Sequence, residues 1–223
     1  MADLGVIVAN SSVPRVPGEI GDAASMPEGT LYEAIAFHDF LCEMREGLRP
    51  SSLGALLRAR DALVTRGARC VATSCGMLWP WQVRLETDSP VPFVSSALCL
   101  LDRLREQYPG GVCVITVELG FLPLWRRTFG EQIEGVAFRE LGQDHYLYRA
   151  LTGAIPRDAF SPDIARAEIV NKITRLVART GGVQAVILEC TNLSPYRDAI
   201  ADAVRLPVYD IFSAIDHASS EVA

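Results

Sequence analysis

Short, nearly continuous apolar runs recur along the chain at residues 4–9 (LGVIVA), 69–73 (RCVAT), 112–117 (VCVITV) and 184–188 (QAVIL), with amphipathic stretches between them. Such a run belongs to a strand covered on both faces, because a solvated face would put a polar residue at every second position. Buried strands separated by helices pair in parallel, since each must be reached by a crossover long enough to hold a helix. The expected fold is therefore α/β, with parallel sheets and helices on both faces.

The intervening stretches carry helix signals. Ser51 or Ser52 can cap a helix with Leu53, Leu56, Leu57, Leu63 and Val64 on one face, and Arg60 is the polar residue where the stripe would continue. Ser161-Pro162-Asp163 is a cap followed by proline in the first turn, opening a helix with Ile169, Val170, Ile173, Leu176 and Val177 on one face and Gly181 past its end. Further helices are expected near 76–82, 96–106 and 194–204 and at the end of the chain, with strands at 91–94 and 208–210. Residues 31–37 read equally as strand or helix, and 122–129, 136–138 and 145–151 continue the alternation less regularly. Residues 10–30 form a long loop with three prolines and three glycines, a length usually associated with function.

Charge and composition exclude several classes. With 21 basic and 27 acidic residues the chain carries −6, the wrong sign for binding nucleic acid by counterion release. No apolar run approaches the ~18 residues of a membrane span, and the start lacks a secretory signal, so a cytoplasmic protein without membrane contact is expected. Of six cysteines, Cys70, Cys99 and Cys113 sit in apolar runs and, with Cys42, read as small hydrophobes in a reducing compartment. The histidines at 38, 145 and 217 are far apart and no Cys-x-x-Cys occurs, so no metal is expected. Phosphate-loop, dinucleotide and serine-hydrolase motifs do not occur. Lys172, the sole lysine, falls within a helix, which argues against pyridoxal phosphate.

The other two cysteines stand apart. Thr-Ser-Cys75-Gly and Glu-Cys190-Thr-Asn each place a thiol directly after a buried strand and before a helix, 115 residues apart (75 to 190), about half the chain. Two related halves would explain the repeat. Ligands of parallel sheets bind beyond the carboxyl ends of the strands, where a helix N-terminus can lower a thiol pKa from about 8.5 to ~3.5–7.5. A thiolate and a thiol on opposite sides of one tetrahedral carbon could remove a proton from one face and return one to the other. Candidate substrate contacts are the donors at the strand ends: Asn10, Ser74, Gly76, Ser95, Ser96, Thr191 and Asn192, with Arg15 adding a positive charge. They would hold a small carboxylate without adding negative charge beside the thiols.

The segments VPRVPGEIGD (13–22), TSCGMLWPWQ (73–82), PFVSSAL (92–98), LECTNLSPY (188–196) and LPVYDIFSAI (206–215) run in the order found in the aspartate/glutamate racemase superfamily, which the chain resembles over nearly its whole length. That superfamily also holds hydantoin racemases, maleate isomerases and arylmalonate decarboxylases. The resemblance implies two pseudosymmetric parallel-sheet α/β lobes, 1–95 plus 206–223 carrying Cys75 and 96–205 carrying Cys190, with the active site in the cleft between them. It implies Cys75 and Cys190 as the acid/base pair, no organic cofactor or metal, and a homo-oligomer. Glutamate racemases look like Cys-Asn-Thr and Cys-Thr-His at these sites, so Cys75-Gly76-Met77 and Cys190-Thr191-Asn192 argue against glutamate as substrate. Arylmalonate decarboxylases keep only the second cysteine, so the presence of Cys75 favours a two-base racemase or epimerase over decarboxylation. The rivals are a maleate-type isomerase with Cys190 as nucleophile, and a carboxylate-binding protein without turnover.

Overall fold

The computed structural model describes residues 4–9, 15–36 and 39–221. Eight strands among them form two parallel sheets. The first holds β1 (Leu4–Ala9), β2 (Leu31–Ile35), β3 (Cys70–Thr73) and β4 (Phe93–Val94) in the order β2-β1-β3-β4. The second holds β5 (Val112–Thr116), β6 (Ala137–Glu140), β7 (Ala185–Leu188) and β8 (Val208–Tyr209) in the order β6-β5-β7-β8. Adding four to each strand of the first sheet reproduces the second, so the halves share one topology. The helices are α1 (Phe40–Glu46), α2 (Pro50–Thr65), α3 (Gln82–Glu86), α4 (Leu101–Gln107), α5 (Leu122–Phe129), α6 (Tyr146–Leu151), α7 (Pro162–Ala178), α8 (Arg197–Val204) and α9 (Ile211–Ser220). None is long and apolar enough to cross a membrane, among the described residues.

Period-two alternation assigns each strand residue to a layer. Val6, Ala72, Val94, Val114 and Ile187 face a shared middle layer with Phe121, Trp125 and Ile211. On the opposite faces, Ile7 and Val71 pack with Leu56 and Leu63 of α2, and Cys113, Ile115, Val186 and Leu188 pack with Ile169, Ile173 and Val177 of α7. That double cover is why the strands are apolar without alternation. Trp79 stacks on Phe129 (centroids 3.7 Å apart) and meets Trp125 edge-on at 5.5 Å, which makes it a packing residue of the middle layer.

Three details differ from expectation. The strand at 208–209 pairs with β7, so it belongs to the second sheet rather than to the first lobe with 206–223; α9, which follows it, does lie against β3 and β4 of the first. Helix α1 has no counterpart in the sequence reading, being a seven-residue helix capped by Asp39. Cys99 is exposed, not a core residue.

The polar outlier of α2 is also explained. Arg60 is buried, and its Nη1 donates to the carbonyls of Leu85 (2.7 Å) and Thr87 (2.8 Å) at the end of α3, while Nε donates to Asp61. It satisfies carbonyls that a helix end leaves without partners. Arg60→Met is expected to cost about 1–3 kcal/mol in urea unfolding, because two carbonyls lose their donor and only apolar contact is kept.

Candidate active site

The two cysteine loops are built alike, residue for residue. Each strand is prolonged by one ladder bond, Ser74 N–H to the Ile7 carbonyl (3.0 Å) and Glu189 N–H to the Ile115 carbonyl (2.9 Å). Cys75 (φ −146°, ψ 101°) and Cys190 (φ −76°, ψ 122°) follow in extended backbone, at the heads of 3-10 turns over Gly76–Trp81 and Thr191–Tyr196. Leu78 and Leu193 donate back to the two cysteine carbonyls at 3.2 and 2.9 Å. Pro80 and Pro195 occupy the same position in each turn, and α3 and α8 continue directly. The 115-residue offset therefore holds for the whole segment and not for the thiols alone.

These loops touch. The Thr191 hydroxyl donates to the Ser74 carbonyl at 2.9 Å and also approaches Glu19 Oε1 at 3.3 Å. A Cβ on Gly76 would collide with the carbonyl oxygen of Glu189 and would stand 2.7 Å from its Oε1. Glycine is needed here for close approach of two backbones rather than for an unusual φ. The structure thus brings Cys75, Ser74, Gly76, Cys190 and Thr191 to one junction, with Cys75 buried and Cys190 half-buried.

Two carboxylates that the sequence reading missed lie at this junction. Glu189 is 1% exposed; its Oε2 accepts from the Thr116 hydroxyl at 2.7 Å, and its Oε1 has no hydrogen-bond partner among the described residues. Burial, reinforced by the charge of Glu118 and opposed by the Thr116 bond, pushes its pKa from 4.5 to about 7. Glu19, fully buried, is also raised by burial, against the pull of Arg15, the Gly21 N–H and Thr191. The signal was present: Glu189 directly follows the buried run AVIL.

They reverse the expected direction of the thiol pKa values. Burial first and the charge of Glu189 second push Cys75 well above the ordinary thiol range, with Met77 and Leu78 N–H groups opposing. Cys190 is pushed up to about 12 by the same two causes, with Asn192 opposing. Each resting site is thus a thiol, because a turn N-terminus is outweighed by desolvation beside a carboxylate. Because the folded pKa of Glu189 lies above its unfolded value, its contribution to stability is fully present below about pH 4.5 and is lost as pH rises through about 7. Glu189→Gln is therefore expected to be the more stable protein at pH 8, by about 3 kcal/mol at most, and to lose that advantage at pH 4.5, read by urea unfolding at both.

The remaining sequence candidates fall into three groups. Asn192 is buried; its Nδ2 donates to Cys190 Sγ at 3.8 Å and its Oδ1 has no partner among the described residues, so it is placed to act on that sulfur. Arg15 is not an unpaired cation, since Nη1 donates to Glu19 (3.1 Å) and Nη2 to the Ala9 carbonyl (2.9 Å). Ser95 and Ser96 are fully buried: Ser96 Oγ caps the turn over Ala97–Leu100 by accepting from Leu98 N–H, and the Ser95 backbone is tied to Gln82 and Thr73. These bonds fix both serines at the end of β4. Asn10 lies outside the described residues. Near the Glu189 end, Arg45 of α1 pairs with Glu118 at 2.9 Å and joins the first half to the second, and Tyr148 donates to the same carboxylate at 3.3 Å. Among the described residues no group of three or more His, Cys, Asp or Glu could hold a metal ion.

Solved structures share this arrangement of sheets. Allantoin racemase from Klebsiella pneumoniae superposes with a TM-score of 0.66 at 12% identity, covering 100% of this chain and 88% of that one. The chain has the fold of the aspartate/glutamate racemase superfamily. Allantoin racemase from Pseudomonas fluorescens (TM-score 0.60, 16% identity, 98% and 90% covered) and arylmalonate decarboxylase (0.56, 13%, 93% and 86%) share it too. No protein-family model matches this racemase-fold chain. Among curated proteins, dimethylsulfoniopropionate lyase 5 of Emiliania huxleyi (strain CCMP1516) is 27% identical over 235 residues, 97% of this chain. Dimethylsulfoniopropionate lyase of Durusdinium sp. clade D is 27% identical over 227 residues, 96% of this chain. The chain spans 45% of the length of the first and 73% of the second.

Proposed function

We propose that this chain is an enzyme that removes a proton from the carbon next to the carboxylate of a small molecule, with Cys75 and Cys190 as its acid/base groups and no organic cofactor or metal. The observation that supports it is the locking of two equivalent cysteine loops against each other, by Thr191 on Ser74 and Gly76 on Glu189. One sulfur takes the proton as thiolate, and the electron pair left on carbon must then be used. If the next carbon carries a cationic leaving group, the pair forms a C=C bond and the group departs neutral. If it carries none, the second thiol returns a proton to the opposite face and the product is the mirror image.

The elimination route is favoured by the charges around the thiols. Glu189, which has no cationic partner among the described residues, opposes a simple anion once ionised but suits a zwitterion with a cationic group, and the curated relatives are named for dimethylsulfoniopropionate, a propionate bearing a dimethylsulfonium group. For that substrate the products would be dimethyl sulfide and acrylate. Racemisation is the second reading, favoured by the equivalence of the two thiol loops, since elimination needs only one base. The reading includes a homo-oligomer acting in the cytoplasm.

Proton NMR in deuterated water with a panel of β-sulfonium carboxylates, amino acids, hydantoins and dicarboxylates tests both. Vinyl protons appearing from a sulfonium substrate support elimination; deuterium at the α-carbon with loss of optical rotation supports racemisation. Binding without exchange or elimination across the panel would overturn the proposal.

A further inference from the structure

The two cysteine loops match in backbone but not in the residue two places beyond each thiol. The 115-residue offset that relates Cys75 to Cys190 puts Met77 in the place of Asn192. Asn192 is buried; its Nδ2 donates to Cys190 Sγ at 3.8 Å and its Oδ1 has no partner, so among the described residues the sulfur is the amide's only hydrogen-bond partner. Met77 offers a thioether instead, packed against the apolar layers on both faces of the first sheet. Cys75 is therefore faced by the backbone N–H groups of Met77 and Leu78, and Cys190 by the backbone N–H of Asn192 and its side-chain amide. Cys190 is also half-buried where Cys75 is buried, so a charge on Cys190 loses less hydration.

We propose that Asn192 is a positioning residue that makes Cys190 the proton-accepting sulfur of the pair, so that the substrate proton leaves from the face turned to Cys190 while Cys75 stays a thiol. The resting Cys190 thiol gives its proton to solvent water, and the Nδ2 bond then becomes charge-assisted and shortens. In the reacting step the substrate C–H bond breaks, a Cys190 S–H bond forms, and the negative charge passes from sulfur to the substrate. There the electron pair either forms a C=C bond as a cationic group departs neutral, or takes the Cys75 proton on the opposite face. A neutral amide suits this task, because it favours the thiolate without pairing with Glu19 or Glu189, whose charges oppose it. The inference rests on the reading of the two thiols as acid/base groups, and it names Cys190→Ser as the more damaging of the two serine variants in elimination.

The test needs no substrate. Alkylation of Cys190 and Cys75 by iodoacetamide at pH 8 is followed in one sample by mass spectrometry of the two peptides, and its rate reads how readily each sulfur gives up its proton. Asn192→Ala should slow Cys190 about threefold or more and leave Cys75 within about twofold. One charge-assisted hydrogen bond is worth about tenfold in thiolate, part of which the greater nucleophilicity of a more basic sulfur offsets. Asn192→Asp, which keeps the size and sets a carboxylate where the donor was, should slow Cys190 further. Had Asn192 only shielded the sulfur or braced the turn, alanine would open the site and Cys190 would react faster. A Cys190 rate in Asn192→Ala equal to or above the native one, or a Cys75 rate that moves in step with it, would overturn the proposal. Failure of the acid/base reading shows elsewhere, as no exchange or elimination across the NMR panel.

Discussion

Cys190→Ser is expected to lower turnover about 10²–10⁴-fold, the usual worth of a positioned acid/base group. The hydroxyl fits the space and accepts the same Asn192 bond, but its alkoxide is far less accessible than a thiolate, even one whose thiol has been pushed up to about 12. Unfolding midpoints should change little, which separates lost chemistry from lost structure. The companion Cys75→Ser distinguishes the two fates of the carbanion. In racemisation both sulfurs transfer protons and the two losses should be comparable. In elimination one base suffices, and the two variants should differ by an order of magnitude or more.

The second large effect is expected at Gly76. A methyl group there meets the carbonyl of Glu189 and stands 2.7 Å from its Oε1, and the obstacle is backbone rather than the end of a flexible chain. One loop must therefore move. Overpacking of this kind costs about 1–3 kcal/mol, and a displacement near 1 Å at a reaction site can cost about 10²-fold in rate. Gly76→Ala should show both, in urea unfolding and in kcat/KM. Gly181→Ala, at a position with nothing within 4 Å of the added carbon, should leave the rate unchanged.

The strands were legible because burial on both faces writes itself as an unbroken apolar run, from LGVIVA at β1 to AVIL at β7. The Ser161 cap of α7 was legible for a similar reason, since its side chain accepts from Ile164 N–H as local chemistry requires. Local rules say less about what lies across the molecule. Nothing within the chain near Arg60 announces the carbonyls of Leu85 and Thr87, and α1 is too short to show a period. Pairing of β8 with β7 is likewise a matter of tertiary contact.

At the site, the thiols were legible from position and from their repeat, whereas their electrostatics were not. A turn N-terminus is a sequence feature; the burial that overrides it comes from two loops meeting through Gly76 and Thr191. Arg15 had the right charge, but Glu19, four residues on, uses it. Ser95 and Ser96 follow a strand as ligand-binding residues do, and Ser96 also caps the turn that comes next, a local bond that its place before Ala97 allows.

The central claim is that the two cysteine loops make one reaction site. Treating the native protein with a short bis-electrophile such as 1,3-dibromoacetone and mapping the products by mass spectrometry tests it most directly. The account predicts a single bridge joining the Cys75 and Cys190 peptides within one chain, formed at sub-stoichiometric reagent. Separate adducts on the two cysteines, with no bridged peptide at any dose, would contradict it.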